Sequence, residues 1–209
     1  VDQALKNDNH LRQLPEDILA KLTSTLATSF SSESIKKTML EQIETRLDRN
    51  DVQEALKWLD SPIGKKCTRL EEAASSPEAV VEIQKDFPNQ LKKTPPSSER
   101  LKRIEKLNSA VHATETAVEI AMNMQLAIGT AIALSLPSEN QGAFLEKMRE
   151  ETERIKPQIE AMGQSQTLLT FLYIYRTLTD SELEKYIEFA TSDIGVKYHS
   201  VTIDALKKA

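Results

Sequence analysis

The chain of 209 residues has one cysteine, Cys67, and so no intrachain disulfide. It has only 5 glycines and 8 prolines, and aromatic residues make up 5%. No stretch alternates β-branched and polar residues as a half-buried strand would, while Ala, Leu, Glu, Lys and Gln are abundant. These absences exclude a disulfide scaffold and a β-sandwich and point to an all-α fold. A concentrated basic face is also missing: 27 basic residues stand against 32 acidic ones, a net charge of -5, which argues against nucleic acid as the main partner. The run Lys92, Lys93, Arg100, Lys102, Arg103, Lys106 is interrupted by Glu99 and Glu105 and reads as a solvated helix face. The chain opens at Val1, so a cleaved or trimmed preceding segment is expected.

What is present is helical periodicity. The longest apolar stretch, Val111 to Leu136, carries one stripe through Val118, Met122, Gly129 and Ile132 and a second through Ile120, Met124, Ile128 and Leu134. A helix apolar nearly all round is expected to be buried on several sides. Its length would suffice to span a bilayer, but Glu119, Asn123, Gln125 and Thr130 lie inside it, so the expectation is a central core helix with no transmembrane segment. The expected fold class is an all-α bundle of about eight to ten helices, with helical hairpins duplicated pseudo-symmetrically around that central helix.

Punctuation sets the other elements. Pro15 opens an amphipathic helix carrying Ile18, Leu19, Leu22 and Leu26, and Ser31 and Ser32 cap a helix from Ile35 to Leu47. Helices follow over 48–60, from Ser61-Pro62 to Ser75, and from Ser76-Pro77 to about Phe87. Pro88, Pro95 and Pro96 predict a stiff, extended connection between residues 1–92 and 97–209, two halves of one compact domain. Beyond Pro137, the segment Ser138-Glu139-Asn140-Gln141 reads as a capping box, Pro157 as a kink or break and Gly163 as a turn. Helices over 164–178, 180–191 and 192–208 complete the chain.

Two stretches align without a gap at a spacing of 131 residues, Leu47 to Lys66 and Leu178 to Lys197. Ser61, Gly64 and Lys66 recur as Ser192, Gly195 and Lys197. Asp48 and Thr179 are capping types with an acid three residues on, at Asp51 and Glu182. The two glycines are expected to permit close backbone approach to a neighbouring helix. Every member of the motif has a packing reason and none calls for catalysis.

The second copy resembles the C-terminal signature of the bacterial family called domain of unknown function 2059, which runs roughly F-T-x-x-E-L-x-x-x-I-x-F-Y-x-S-x-x-G-x-K. It stands here as Leu178, Thr179, Glu182, Leu183, Ile187, Phe189, Ala190, Ser192, Gly195 and Lys197, with Leu178 in place of phenylalanine and Ala190 in place of tyrosine. The resemblance is similar but weaker in the first copy. It implies a helical, exported protein, periplasmic or secreted, with no assigned activity.

No catalytic, cofactor-binding or metal-ligating constellation is found. His112, Glu115 and Glu119 share a helical side but lack the second Glu-x-x-His element of a di-metal bundle. His199 and Asp204 are not on one face, and Cys67 is expected to be an inert helix-buried thiol. There is no phosphate-cradling glycine loop and no nucleophile elbow. The leading expectation is a non-enzymatic scaffold or interaction module with a protein partner. The alternative is a carrier holding an apolar small molecule, a lipid or acyl chain, against Met122, Leu126, Ile128, Phe171, Tyr173 and Tyr175.

Overall fold

A computed structural model of the chain describes residues 32–134 and 136–208, together with Glu16, Ala20 and Ser24. The helix expected after Pro15 and the cap at Ser31 therefore lie outside the described residues. Among the described residues there are ten helices and no strand. They are α1 (Ser32–Arg46), α2 (Arg49–Asp60), α3 (Pro62–Ala74), α4 (Pro77–Lys85) and α5 (Phe87–Lys93), then α6 (Ser98–Ala110), α7 (Ala113–Leu134), α8 (Ser138–Ile174), α9 (Asp180–Thr191) and α10 (Asp193–Lys208). The chain is an all-α helical bundle.

Short polar caps start the early helices. Ser61 accepts from the Gly64 N–H, Ser76 from Ala79 and Ser97 from Arg100, each satisfying a backbone donor that has no partner within the first turn. Pro62 and Pro77 follow two of these caps, where a missing N–H costs nothing. Pro88 does the same at the start of α5, so the connection expected to be extended from Pro88 onward is helical to Lys93 and only 94–97 links the halves. One continuous core joins both halves, with Cys67, Ile83 and Phe87 from the first packed among Ile104, Leu107, Leu183 and Ile187 from the second. Arg100 is no solvated residue: its side chain donates to the Tyr175 carbonyl at 2.6 Å and to Asp180 at 2.9 Å, tying α6 to α9.

Several expectations for the middle of the chain are corrected. The long apolar helix spans Ala113–Leu134 rather than starting at Val111, because Val111 and His112 form a turn with His112 at φ 50. It is not buried on several sides: α7 pairs chiefly with α8, and over its most apolar window, of mean hydropathy 1.5, only 18% is buried. It is nonetheless long and apolar enough to cross a membrane. Finally, α8 runs unbroken for 37 residues through Pro157 and Gly163, about 55 Å at the ordinary rise per residue. An interior proline costs about 3 kcal/mol, which packing against α7 offsets. Gly163 is a contact point rather than a turn, since a Cβ there would meet Val118 of α7 at 2.6 Å. One on Gly129 would meet Met148 of α8 at 2.2 Å. The expected capping box at Ser138 does not form either. Pro137 takes the cap position without a side-chain bond, and Gln141 donates instead to the Leu136 carbonyl at 3.0 Å.

The two aligned stretches have matching local geometry. Asp48 and Thr179 each form a reciprocal capping box, with Asp51 and Glu182 respectively. Ser61 and Ser192 each end one helix and cap the next. The motifs also grip one another. Lys66 of the first donates to both oxygens of Glu182 in the second at 2.7 and 2.9 Å, and Lys197 of the second donates to both oxygens of Asp51 in the first at 2.9 and 3.1 Å. Between these pairs the equivalent rings of Trp58 and Phe189 stack at 4.7 Å and 8°. Lys66 holds the Glu182 carboxyl down to about 2, helped by the Thr179 N–H. Exposed pairs of this kind add little stability, so their contribution is to fix orientation. The equivalence stops at burial: Ile187 is fully buried, whereas Leu56, its counterpart, is 49% exposed.

Candidate functional site

Where α3 and α7 to α10 meet α2, the structure leaves an open-sided cavity of about 940 Å3. Aromatic and aliphatic side chains make most of its wall: Trp58 from α2, Ile120 from α7, Phe171 from α8, Tyr175 just beyond it, and Tyr186 and Phe189 from α9. Helix α3 adds Gly64, Cys67 and Glu71, and α10 adds Tyr198, His199, Thr202 and Leu206. Helix amphipathicity puts each of these on an inward face, but contributions from so many helices leave the centre incompletely filled. The volume lies within the ordinary range for small-molecule sites, roughly 300–1,000 Å3.

The rings are held in fixed mutual orientations. Trp58 stacks on Tyr186 at 5.6 Å as well as on Phe189, Tyr175 meets Phe171 and Tyr186 edge-on at 5.4 and 5.8 Å, and Tyr198 meets His199 edge-on at 5.4 Å. Pairs like these are worth about 0.5–1.5 kcal/mol beyond the area they bury. The hydroxyls of Tyr175 and Tyr186 both donate to one oxygen of Glu71, at 2.8 and 3.2 Å. Burial first, and then the neighbouring Tyr186 and Glu71, push the Tyr175 hydroxyl well above its ordinary range, and burial followed by Glu71 does the same at Tyr186.

Two further titratable groups of the wall, Cys67 and His199, are held neutral. Burial, reinforced by the negative field of Glu71 and Glu182, pushes the Cys67 thiol up to about 12, so at neutral pH it is not a thiolate and not a nucleophile. Burial, with a smaller contribution from His112, pushes His199 down to about 4, and its Nε2 is buried without a hydrogen-bond partner among the described residues. A neutral imidazole with a free ring nitrogen, a protonated thiol and tyrosines fixed to a carboxylate make a wall suited to holding a molecule by shape, stacking and a few hydrogen bonds.

Of the six residues expected to form a ligand wall, Phe171 and Tyr175 line this cavity. Tyr173 turns the other way: its hydroxyl donates to Glu82 at 2.6 Å, and the Arg176 guanidinium lies 3.6 Å over its ring. Leu126 sits at a separate recess beside Met148 and Arg149, and Met122 and Ile128 are half-buried on α7 away from the main cavity. Sequence reasoning overlooked Trp58, Glu71, Tyr186 and His199. A signal existed for Glu71, which follows Cys67 by one turn and flanks the apolar stripe Ile63, Cys67, Leu70, Ala74. For His199 none did.

The polar residues weighed for metal binding are dispersed. Glu119 pairs with Lys207 at 2.6 Å, Asp204 pairs with Arg46, and no group of three or more potential ligands occurs among the described residues. The motif residues Ser61, Gly64, Lys66, Ser192, Gly195 and Lys197 serve caps, close contacts and ion pairs, and among them only Gly64 borders the cavity. No protein-family model, curated protein or solved structure matches the chain.

Proposed function

We propose that the protein is a non-enzymatic binder of an apolar small molecule, held between helices in the cavity walled by Trp58, Tyr175 and Tyr186. The single observation that carries this reading is a cavity of about 940 Å3 at the junction of six helices, ringed by oriented aromatic side chains. Trp58 is the only tryptophan in the chain and lines the cavity, so its emission reports occupancy directly. Titration with the neutral probe N-phenyl-1-naphthylamine is expected to quench Trp58 by energy transfer, and Thr116→Phe, which projects a ring from α7 into the space, is expected to weaken that binding at least about tenfold. Absent quenching, or quenching untouched by Thr116→Phe in a variant of unchanged melting temperature, would falsify the reading.

A second reading, an interaction or scaffold module, draws on a different surface. Helix α7 carries an apolar face that α8 does not cover, ending at Leu134, which is 63% exposed, and at the other end of the same helical pair Met162 of α8, beside Val118, is 65% exposed. Exposed apolar surface of this kind is typical of contact sites. This reading expects a concentration-dependent mass above that of the single chain in sedimentation, lost in Leu134→Glu; a monomer at every concentration counts against self-association. We further propose that the two aligned stretches descend from a duplication, on the support of their matching caps and reciprocal lysine–carboxylate pairs. Export to the periplasm or beyond is proposed on the resemblance alone.

A further inference from the structure

One carboxylate within the cavity has no counter-charge. Glu71 is half-buried, and one of its oxygens takes both tyrosine hydroxyls, from Tyr175 and Tyr186. Among the described residues no basic side chain forms an ion pair with it. Two cations share the cavity wall. Lys65 is engaged with Asp60 at 3.1 Å, and Arg69 is solvent-exposed and forms no ion pair with Glu71. His199 supplies no charge either, since burial keeps it neutral at pH 7. The negative field of Glu71 is felt throughout the wall: it helps to raise Cys67, Tyr175, Tyr186 and Tyr198. A carboxylate drawn out of bulk water among aromatic rings is costly until a cation meets it. The electron-rich faces of Trp58 and the tyrosines would attract the same cation.

We propose that the ligand is an amphiphilic amine, its protonated amino group beside the Glu71 carboxylate and its apolar chain or ring along Trp58, Phe171 and Ile120. This rests on the binding reading above and adds the head group to it. A carboxylate or phosphate head is repelled by Glu71, and a neutral alcohol can donate to its carboxylate but brings no opposite charge.

The test compares decylamine, decanol and decanoate, each titrated at pH 7.5 against the emission of Trp58. Decylamine is expected to bind at least about tenfold more tightly than decanol, because its cation adds an ion pair to the hydrogen bond that either head can donate, with decanoate weakest. Glu71→Gln keeps an acceptor for both tyrosines and is expected to bring decylamine to within about twofold of decanol, abolishing the preference for the cation. Glu71→Asp, which withdraws the carboxylate by one methylene, is expected to weaken decylamine severalfold and serves if the glutamine variant does not fold. Equal affinity for amine and alcohol in the parent protein overturns the head-group assignment and leaves the cavity reading in place. A preference for amine that survives in Glu71→Gln with unchanged size removes Glu71 as its source and overturns the proposal. If none of the three probes binds, the cavity reading fails together with it.

Discussion

Gly195→Ala is expected to destabilise the protein by about 3 kcal/mol, at the upper end of what an inserted methyl usually costs. The reason lies in how α9 hands over to α10. Ser192 is both the last residue of one helix and the cap of the next, so the chain turns within a single extended residue. That tight turn places the first turn of α10 directly against the end of α9. A Cβ on Gly195 would lie 1.8 Å from the Phe189 carbonyl oxygen and 3.0 Å from the Ala190 Cα. Both are backbone atoms, which cannot rotate away as a side chain end can, so one helix must move. Gly64 stands in the same relation to Trp58, whose carbonyl oxygen a Cβ would approach to 2.1 Å. The close backbone approach to a neighbouring helix expected of both glycines is thus to the helix that precedes each in sequence. Gly142 is the matched control. It lies in α8 with nothing within 4 Å of where a methyl would sit, so Gly142→Ala is expected to stabilise by up to about 1 kcal/mol through helix propensity. Urea unfolding followed by circular dichroism separates the two. A Gly195→Ala midpoint equal to that of the parent would show that the turn relaxes at no cost.

The same motif shows which features were legible in the sequence. Serine caps followed by proline, and N-cap residues followed by an acid, mark helix starts by local chemistry alone, and the structure forms the expected caps at Ser61, Ser76, Asp48 and Thr179. Local signals fail where tertiary contacts decide. Pro157 and Gly163 carry breaking signals, yet α8 passes through both because α7 lies along it and Gly163 makes room for Val118. Periodicity located two apolar stripes on α7 but says nothing of how many partners come to meet them. The stripe that includes Val118 and Gly129 has α8, while much of the rest of the helix surface has none. The cavity was the least legible part. Its wall draws single residues from segments as far apart as Trp58 and Leu206, and only the packed fold brings them to one place. Phe171 and Tyr175 were found because their stretch is conspicuously aromatic. Glu71 and His199 sit on helices whose apolar patterns made them look incidental.

His199 carries the second large effect, one that appears with pH rather than with temperature or denaturant alone. In the folded protein burial holds this imidazole near 4, and in the unfolded chain it returns to about 6.5. Between those values the unfolded state binds a proton that the folded state refuses, so stability rises with pH across the window and is lost on acidification. From pH 7.5 to pH 4.5 the loss assigned to His199 is about 2 to 3 kcal/mol. The group is surrounded by the rings of Phe189 and Tyr198, with His112 near enough to oppose a second positive charge, and its Nε2 has no partner among the described residues to share a proton. Carboxylates add a separate phase: Glu182 is held near 2 by Lys66 and Thr179, so the stability it confers is lost as pH falls below about 4.5, and that from Asp51, which Lys197 holds down, as pH falls below about 3.8. His199→Leu removes the upper phase and leaves the lower one. Its unfolding free energy is expected to be within about 1 kcal/mol of the parent at pH 7.5 and higher than the parent by about 2 kcal/mol at pH 4.5, because it no longer forces a choice between a buried charge and an unfolded chain. Denaturant melts of both proteins at these two pH values decide it. Parallel losses between pH 7.5 and pH 4.5 would mean that the imidazole titrates in the fold as freely as outside it, and that the wall of the cavity is wet at that point.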